Sequence, residues 1–175
     1  MPLPKPLAPL RHRRFALLWF GAFVSNIGTW METVGVGILV TSTTGRATWT
    51  GVVAAAGFVP AAVLGPVGGA LADRLDRKRL LLVTTTIQTG FAGLLTLLAA
   101  TGTPSPWVVT LIVLGSGCTS AIGFPTYQTL LPDLVPPEDL VGAVALSSAQ
   151  WNLGRVIRSE EHTSELQSLA YLVCR

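Results

Sequence analysis

The chain has 175 residues, of which 50% are hydrophobic and only 12% charged, with a net charge of +3, 18 glycines and 12 prolines. A soluble domain is about a quarter charged, so this composition excludes an ordinary soluble globular protein and points to the membrane class. The basic residues cluster between apolar runs with no interleaved aromatics, which excludes a nucleic-acid-binding reading.

The predicted elements follow in chain order. Residues 1–14 form a basic N-terminal segment carrying Lys5, Arg11, Arg13 and Arg14. Apolar runs then occupy residues 15–40, 49–71, 80–100 and 107–131, and a fifth, incomplete run covers 140–157. A membrane helix needs about 20 predominantly apolar residues, and each of the first four runs reaches that. The first is too long for a secretory signal and lacks its small-residue cleavage pattern, so it reads as a retained span. The connections "TSTTGRAT", "ADRLDRKR" and "TGTPSP" are short, which predicts antiparallel neighbours.

Orientation follows from Lys and Arg, which stay on the cytoplasmic side. The N-terminal cluster and the loop with Arg74, Arg77, Lys78 and Arg79 are separated by two spans, and both place the N-terminus inside. The connection after the fourth run carries only Asp133, Glu138 and Asp139, and acidic residues say little about topology.

Polar residues are not scattered at random along the spans. In the first, Ser25, Asn26, Thr29, Glu32 and Thr33 fall within an arc of about 120°. In the fourth, Ser116, Ser120, Gly123 and Tyr127 align within about 60°. In the fifth, Ser148, Trp151, Asn152 and Arg155 align within about 100°. Polar stripes on membrane helices face protein or water, so three of them predict helices around a shared cavity. Glu32 and Arg155 are ionisable and expensive in lipid, which favours that reading for the first and fifth spans. For the fourth, hydroxyls and glycines serving close packing are the better explanation. Glu32 also fits a solvated place near the outer interface. In the second span Gly57, Ala61, Gly65 and Gly69 recur every fourth residue, a surface that lets another helix approach closely. Pro60 and Pro66 in the same span can bend it, and both sliding and static packing suit such a helix. The chain's two cysteines, Cys118 and Cys174, stand in no CxxC or Cys/His cluster, so neither a disulfide framework nor a zinc site is indicated.

The stretch "GALADRLDRKR", residues 69–79, resembles the signature loop between the second and third spans of the major facilitator superfamily. Gly69, Leu71, Asp73, Arg74, Arg77 and Lys78 match that pattern in order, and Asp76 stands where it has its second glycine. "FPTYQTLLPDLVPPEDLVGAVALSSAQWNLGRVI" is similar to the fourth-to-fifth span region of the siderophore-exporter and drug-efflux subfamily. The resemblance implies an all-α, polytopic fold, the partial N-terminal half of twelve helices. It implies proton-driven, alternating-access efflux of a small molecule from a bacterial cytoplasmic (inner) membrane. Gly69, Asp73, Arg74, Arg77 and Lys78 would then form a latch between the two halves. Asn26, Thr29, Glu32, Tyr127, Asn152 and Arg155 would be cavity or proton-coupling groups, with Glu32 the titrating carboxylate and Arg155 a cavity cation or its ion-pair partner. The partners implied are substrate, protons, the lipid bilayer and the C-terminal half of the same transporter; no cofactor, ATP or nucleic acid is implied, and the chain is not expected to be an enzyme.

After Ile157 the character changes to "RSEEHTSELQS". Those residues, 158–168, resemble the translation of a sequencing-library adapter, so 158–175 is expected to be a non-native tail that packs little against the spans. On that expectation residues 1–157 are a truncated piece that does not transport by itself. The alternatives are a genuine polar C-terminal segment, a small integral scaffold associating through the second span's glycine face, and a membrane-embedded enzyme. A scaffold predicts a native stop near residue 175, whereas a transporter predicts an open frame of several hundred codons in the source genome.

Overall fold

The computed structural model describes residues 5–153. A 3-10 turn, Lys5–Arg11, leads into α1 (Arg13–Thr44), α2 (Ala47–Arg74), α3 (Arg77–Thr101) and α4 (Pro106–Leu130). Two short 3-10 turns, Leu131–Asp133 and Pro137–Asp139, precede a fifth helix, α5, described over residues 140–153. Among the described residues four helices are long and apolar enough to cross a membrane. The tail and Arg155 lie outside the described residues.

The helix ends follow from local chemistry. Gly45, at φ 61, ends α1, with its N–H donating to the Thr41 carbonyl. Glycine reaches that left-handed conformation without a Cβ penalty. Leu75 and Asp76 make the α2–α3 connection with negative φ, so the turn needs no glycine at 76. Asp76 instead caps α3, its carboxylate accepting from the Arg79 N–H at 3.0 Å. Pro106 opens α4 at its first turn, where a missing N–H does no harm.

The described residues divide into two compact units, one of residues 32–133 and one of residues 5–31 with 134–153. In the first, α4 packs against both α2 and α3. Val36, Val40, Val53, Leu95, Val109 and Ile112 form its apolar cluster, with Trp49, Phe91 and Val113 against it. The α2–α4 seam is built from missing side chains. A Cβ on Gly68 would stand 2.5 Å from the Ala121 carbonyl oxygen, and one on Gly117 would stand 2.7 Å from that of Gly57. Pro60 supplies no N–H for the Ala56 carbonyl, and that oxygen lies 3.1 Å from the same Gly117 position. α2 nevertheless continues unbroken through Pro60 and Pro66.

The expected α2 contact stripe needs correcting. Gly57 does meet α4, a Cβ there reaching Val113 at 3.4 Å. Ala61, however, is exposed, and a Cβ on Gly65 or Gly69 would meet nothing within 4 Å. The buried positions are Val53, Pro60, Gly68 and Ala72. A strict four-residue repeat advances about 40° around the helix per step, so the stripe that begins at Gly57 walks off the contact face.

In the second unit the start of α1 lies against α5. Asn26 Nδ2 donates to the Gln150 carbonyl at 3.1 Å. His12 Nε2 and Asp139 Oδ2 meet at 2.9 Å. Phe15, Ala143, Ser147 and Gln150 are buried in this unit, and Trp19 stacks on Phe23 along α1.

Candidate functional site: the α2–α3 loop and the polar helix flanks

The α2–α3 loop is held from one side. Arg77, at the start of α3, donates through its Nη1 to Asp133 Oδ2 at 2.8 Å and to the Thr129 carbonyl at 3.2 Å. Thr129 lies in the last turn of α4, where helix carbonyls lack partners and a cation is favoured. The guanidinium therefore ties the first turn of α3 to the end of α4. The Arg79 backbone hydrogen bond holds the Asp76 carboxyl below its ordinary range, with further help from the Lys78 N–H and the charges of Arg79 and Lys78.

The other residues of the loop signature are differently placed. Asp73, Arg74 and Lys78 are exposed, and none of their side chains makes a hydrogen bond or ion pair among the described residues. Gly69 is half-buried with open space beside its Cα. The sequence pattern thus singled out Arg77 but missed its partner. Asp133 carries no motif of its own; its signal is position, an acidic residue just past the end of α4 facing a basic loop.

The candidate cavity residues divide between buried and exposed positions. Asn26 is 8% exposed and is used in the contact with α5. Thr29 is exposed and donates to the Ser25 carbonyl of its own helix. Glu32 is half-buried and makes no ion pair among the described residues. On α4, Ser120 accepts from Gln88 Nε2 at 2.9 Å, and Gly123 faces Thr84. That face packs against α3, as the packing reading of its hydroxyls and glycine expected. Tyr127 is buried. On α5, Asn152 is exposed and donates to the Ser148 carbonyl. The buried face there is Ala143, Ser147 and Gln150, beside the polar stripe rather than on it. Among the described residues no group of His, Cys, Asp and Glu is arranged to hold a metal ion.

Long apolar helices, α1 to α4, joined by turns of two to four residues, with a basic loop pinned at one end, define a multi-pass helical membrane protein. The chain belongs to the transmembrane secretion effector family of the major facilitator superfamily, which matches residues 4–159. Its relatives are transporters, not enzymes. It is 27% identical to macrolide efflux protein A of Streptococcus pyogenes over 82% of this chain and 36% of that protein. It is 31% identical to the staphyloferrin A transporter of Staphylococcus aureus over 78% of this chain and 34% of that one. The chain therefore spans about a third of the length of these relatives. No solved structure matches it.

Proposed function

We propose that the whole protein is a secondary active exporter of a small molecule, driven by protons and working by alternating access in a bacterial cytoplasmic membrane, with its N-terminus inside. The observation that carries this reading is the similarity, over most of the chain, to a macrolide efflux protein and a siderophore transporter. Substrate in such folds binds near the bilayer midplane between two halves. The exposed polar flanks of α1 and α5, with Thr29 and Asn152, supply lining groups, and Asn26 braces the wall behind them. Glu32 is the carboxylate that takes up and releases the proton.

In this reading the α2–α3 loop is a latch whose partner belongs to the C-terminal half of the same transporter. Two anchors, Asp76 on the first turn of α3 and Arg77 on the end of α4, fix the loop's backbone. Asp73 is left exposed at the end of α2, its charge uncommitted to any described residue. A carboxylate so placed suits a helix N-terminus, where such contacts are worth about 0.3–2 kcal/mol. That is too little to hold a membrane fold together and enough to bias two access states, since 1.4 kcal/mol is tenfold in population.

Asp73→Asn in the full-length protein keeps the size and removes the charge. Expected are unchanged abundance in the membrane and efflux reduced by about tenfold, measured in cells with a panel of macrolides and siderophores. Unimpaired efflux at equal abundance removes the latch role. Absence of any proton-dependent efflux by the native full-length protein removes the exporter reading itself.

A further inference from the structure

The latch leaves a second polar contact unexplained, where the chain enters its first span. His12 stands one residue before α1, and Asp139 stands one residue before α5. Their side chains meet at 2.9 Å with 35% and 15% exposure, so the pair is partly shielded rather than freely solvated. Asp139 is held by its own backbone, its N–H donating to the Pro136 carbonyl at 3.0 Å. Further along the same two helices, Asn26 and the Gln150 carbonyl are joined in a buried contact. The helices are therefore joined twice, once by a fixed amide and once by a pair whose charge can change.

We infer that His12 and Asp139 form a proton-sensitive clasp at the entrances of α1 and α5, closing on acidification and loosening as the pH rises. Histidine is the side chain whose charge ordinarily changes between about pH 5 and 8. Carboxylates stay ionised through that range. Below it the imidazolium donates to the carboxylate as an ion pair; above it only a neutral imidazole N–H is left to donate, and only for the tautomer with the proton on Nε2. The charged neighbours are Arg11, Arg13 and Arg14 on the His12 side and Glu138 on the Asp139 side, all exposed. Of these charged groups and Asp139, Asp139 is the one in contact with His12. Partly exposed pairs of this kind shift an equilibrium by about twofold to fivefold. The clasp is thus a modulator responding to the compartment that bathes the N-terminus, distinct from the carboxylate that carries the transported proton. Its consequence for transport rests on the exporter reading; its existence does not.

The test uses the full-length protein in lipid nanodiscs, with nitroxide labels at Leu7 and Val141, both exposed and close to the pair in sequence. Dipolar spectroscopy in the native background is expected to show the short-distance population about twofold to fivefold higher at about pH 5 than at about pH 8. In His12→Gln and Asp139→Asn that response is expected to vanish, with the Asn26–Gln150 contact keeping the helices together. A native distance distribution independent of pH overturns the inference, as does an undiminished response in His12→Gln. A pH response without any transport supports the clasp and counts against the exporter reading alone. Transport that persists with a pH-independent distance does the reverse.

Discussion

The α2–α4 seam and the α1–α5 contact bring membrane helices together by opposite chemistry. At the seam, side chains are absent where the backbones approach: Gly57, Gly68 and Gly117 leave room that a methyl group would fill. Apolar burial drives little association in lipid, so van der Waals contact between close backbones has to do that work. Between α1 and α5, polar side chains reach across, from Asn26 to a carbonyl and from His12 to a carboxylate. The first kind of contact has no tolerance for added volume and no dependence on pH. The second tolerates volume better and fails when a donor is lost or a charge changes. The comparison teaches that a glycine in such a helix is informative only once its facing backbone is known.

The largest expected effect sharpens that point. Gly68→Ala would place a methyl 2.5 Å from the Ala121 oxygen and 2.9 Å from the Ile122 Cα, both backbone atoms that cannot step aside alone. Overpacking of this kind costs about 1–3 kcal/mol. Gly65→Ala, three residues earlier on the same helix, meets nothing within 4 Å and is expected to be neutral, or stabilising by up to about 1 kcal/mol through helix propensity. Thermal unfolding of the two full-length variants in detergent should separate them clearly. Equal melting temperatures would mean that the seam adjusts freely.

The next effect is smaller and belongs to the polar contact. Asn26→Leu removes the donor to the Gln150 carbonyl while keeping side-chain bulk. An ordinary buried hydrogen bond contributes about 1 kcal/mol net, and in lipid the loss is moderated because carbonyls of a helix remain bonded internally. A drop in unfolding free energy of about 0.5–1.5 kcal/mol is expected, with no change in how the protein responds to Gly68→Ala. Strong coupling between the two substitutions would show that the two contacts are not independent.

The sequence made the spans legible because a lipid-crossing helix must be long and apolar whatever its neighbours are. α1, α2 and α3 contain the first three apolar runs, and α4 covers the fourth except for its last residue, Leu131, which opens the following 3-10 turn. The superfamily was legible from residues 69–79, since a fixed pattern of Gly, Asp and basic residues at a helix–helix turn is uncommon by chance. The α2 contact face was not legible, because a small-residue repeat reports which faces can pack and not which one does. Gly68, outside the repeat that attracted notice, is the α2 glycine whose added Cβ would come nearest a facing backbone. Nor were Asp133 and Asp139 legible as partners. Acidic residues carry no weight in topology, yet each pairs with a basic group distant in sequence, Arg77 in one unit and His12 in the other.

The smallest effect tests the anchor of the loop. Asp76 is exposed and caps α3, and folding holds its carboxyl below the ordinary value of 3.8, chiefly through the Arg79 N–H. The sign follows from that direction. A carboxyl depressed on folding stabilises the protein above its unfolded value and loses that contribution as the pH falls through the folded one. The cap is thus fully present at neutral pH and fades below about pH 4. Hydrogen exchange at the first turn of α3 is the appropriate measurement, because a cap governs fraying locally rather than the whole fold. Asp76→Ala is expected to speed exchange of the Arg79 amide at pH 7, whereas Asp76→Asn and Asp76→Ser, which keep an acceptor, should largely preserve protection. The Asn variant should also remove the acid-dependent loss. Unchanged exchange in the Ala variant would mean that Arg77, bonded to the Thr129 carbonyl and Asp133, holds the turn by itself. The loop would then have one anchor instead of two, and Asp73 would be positioned from α4 alone.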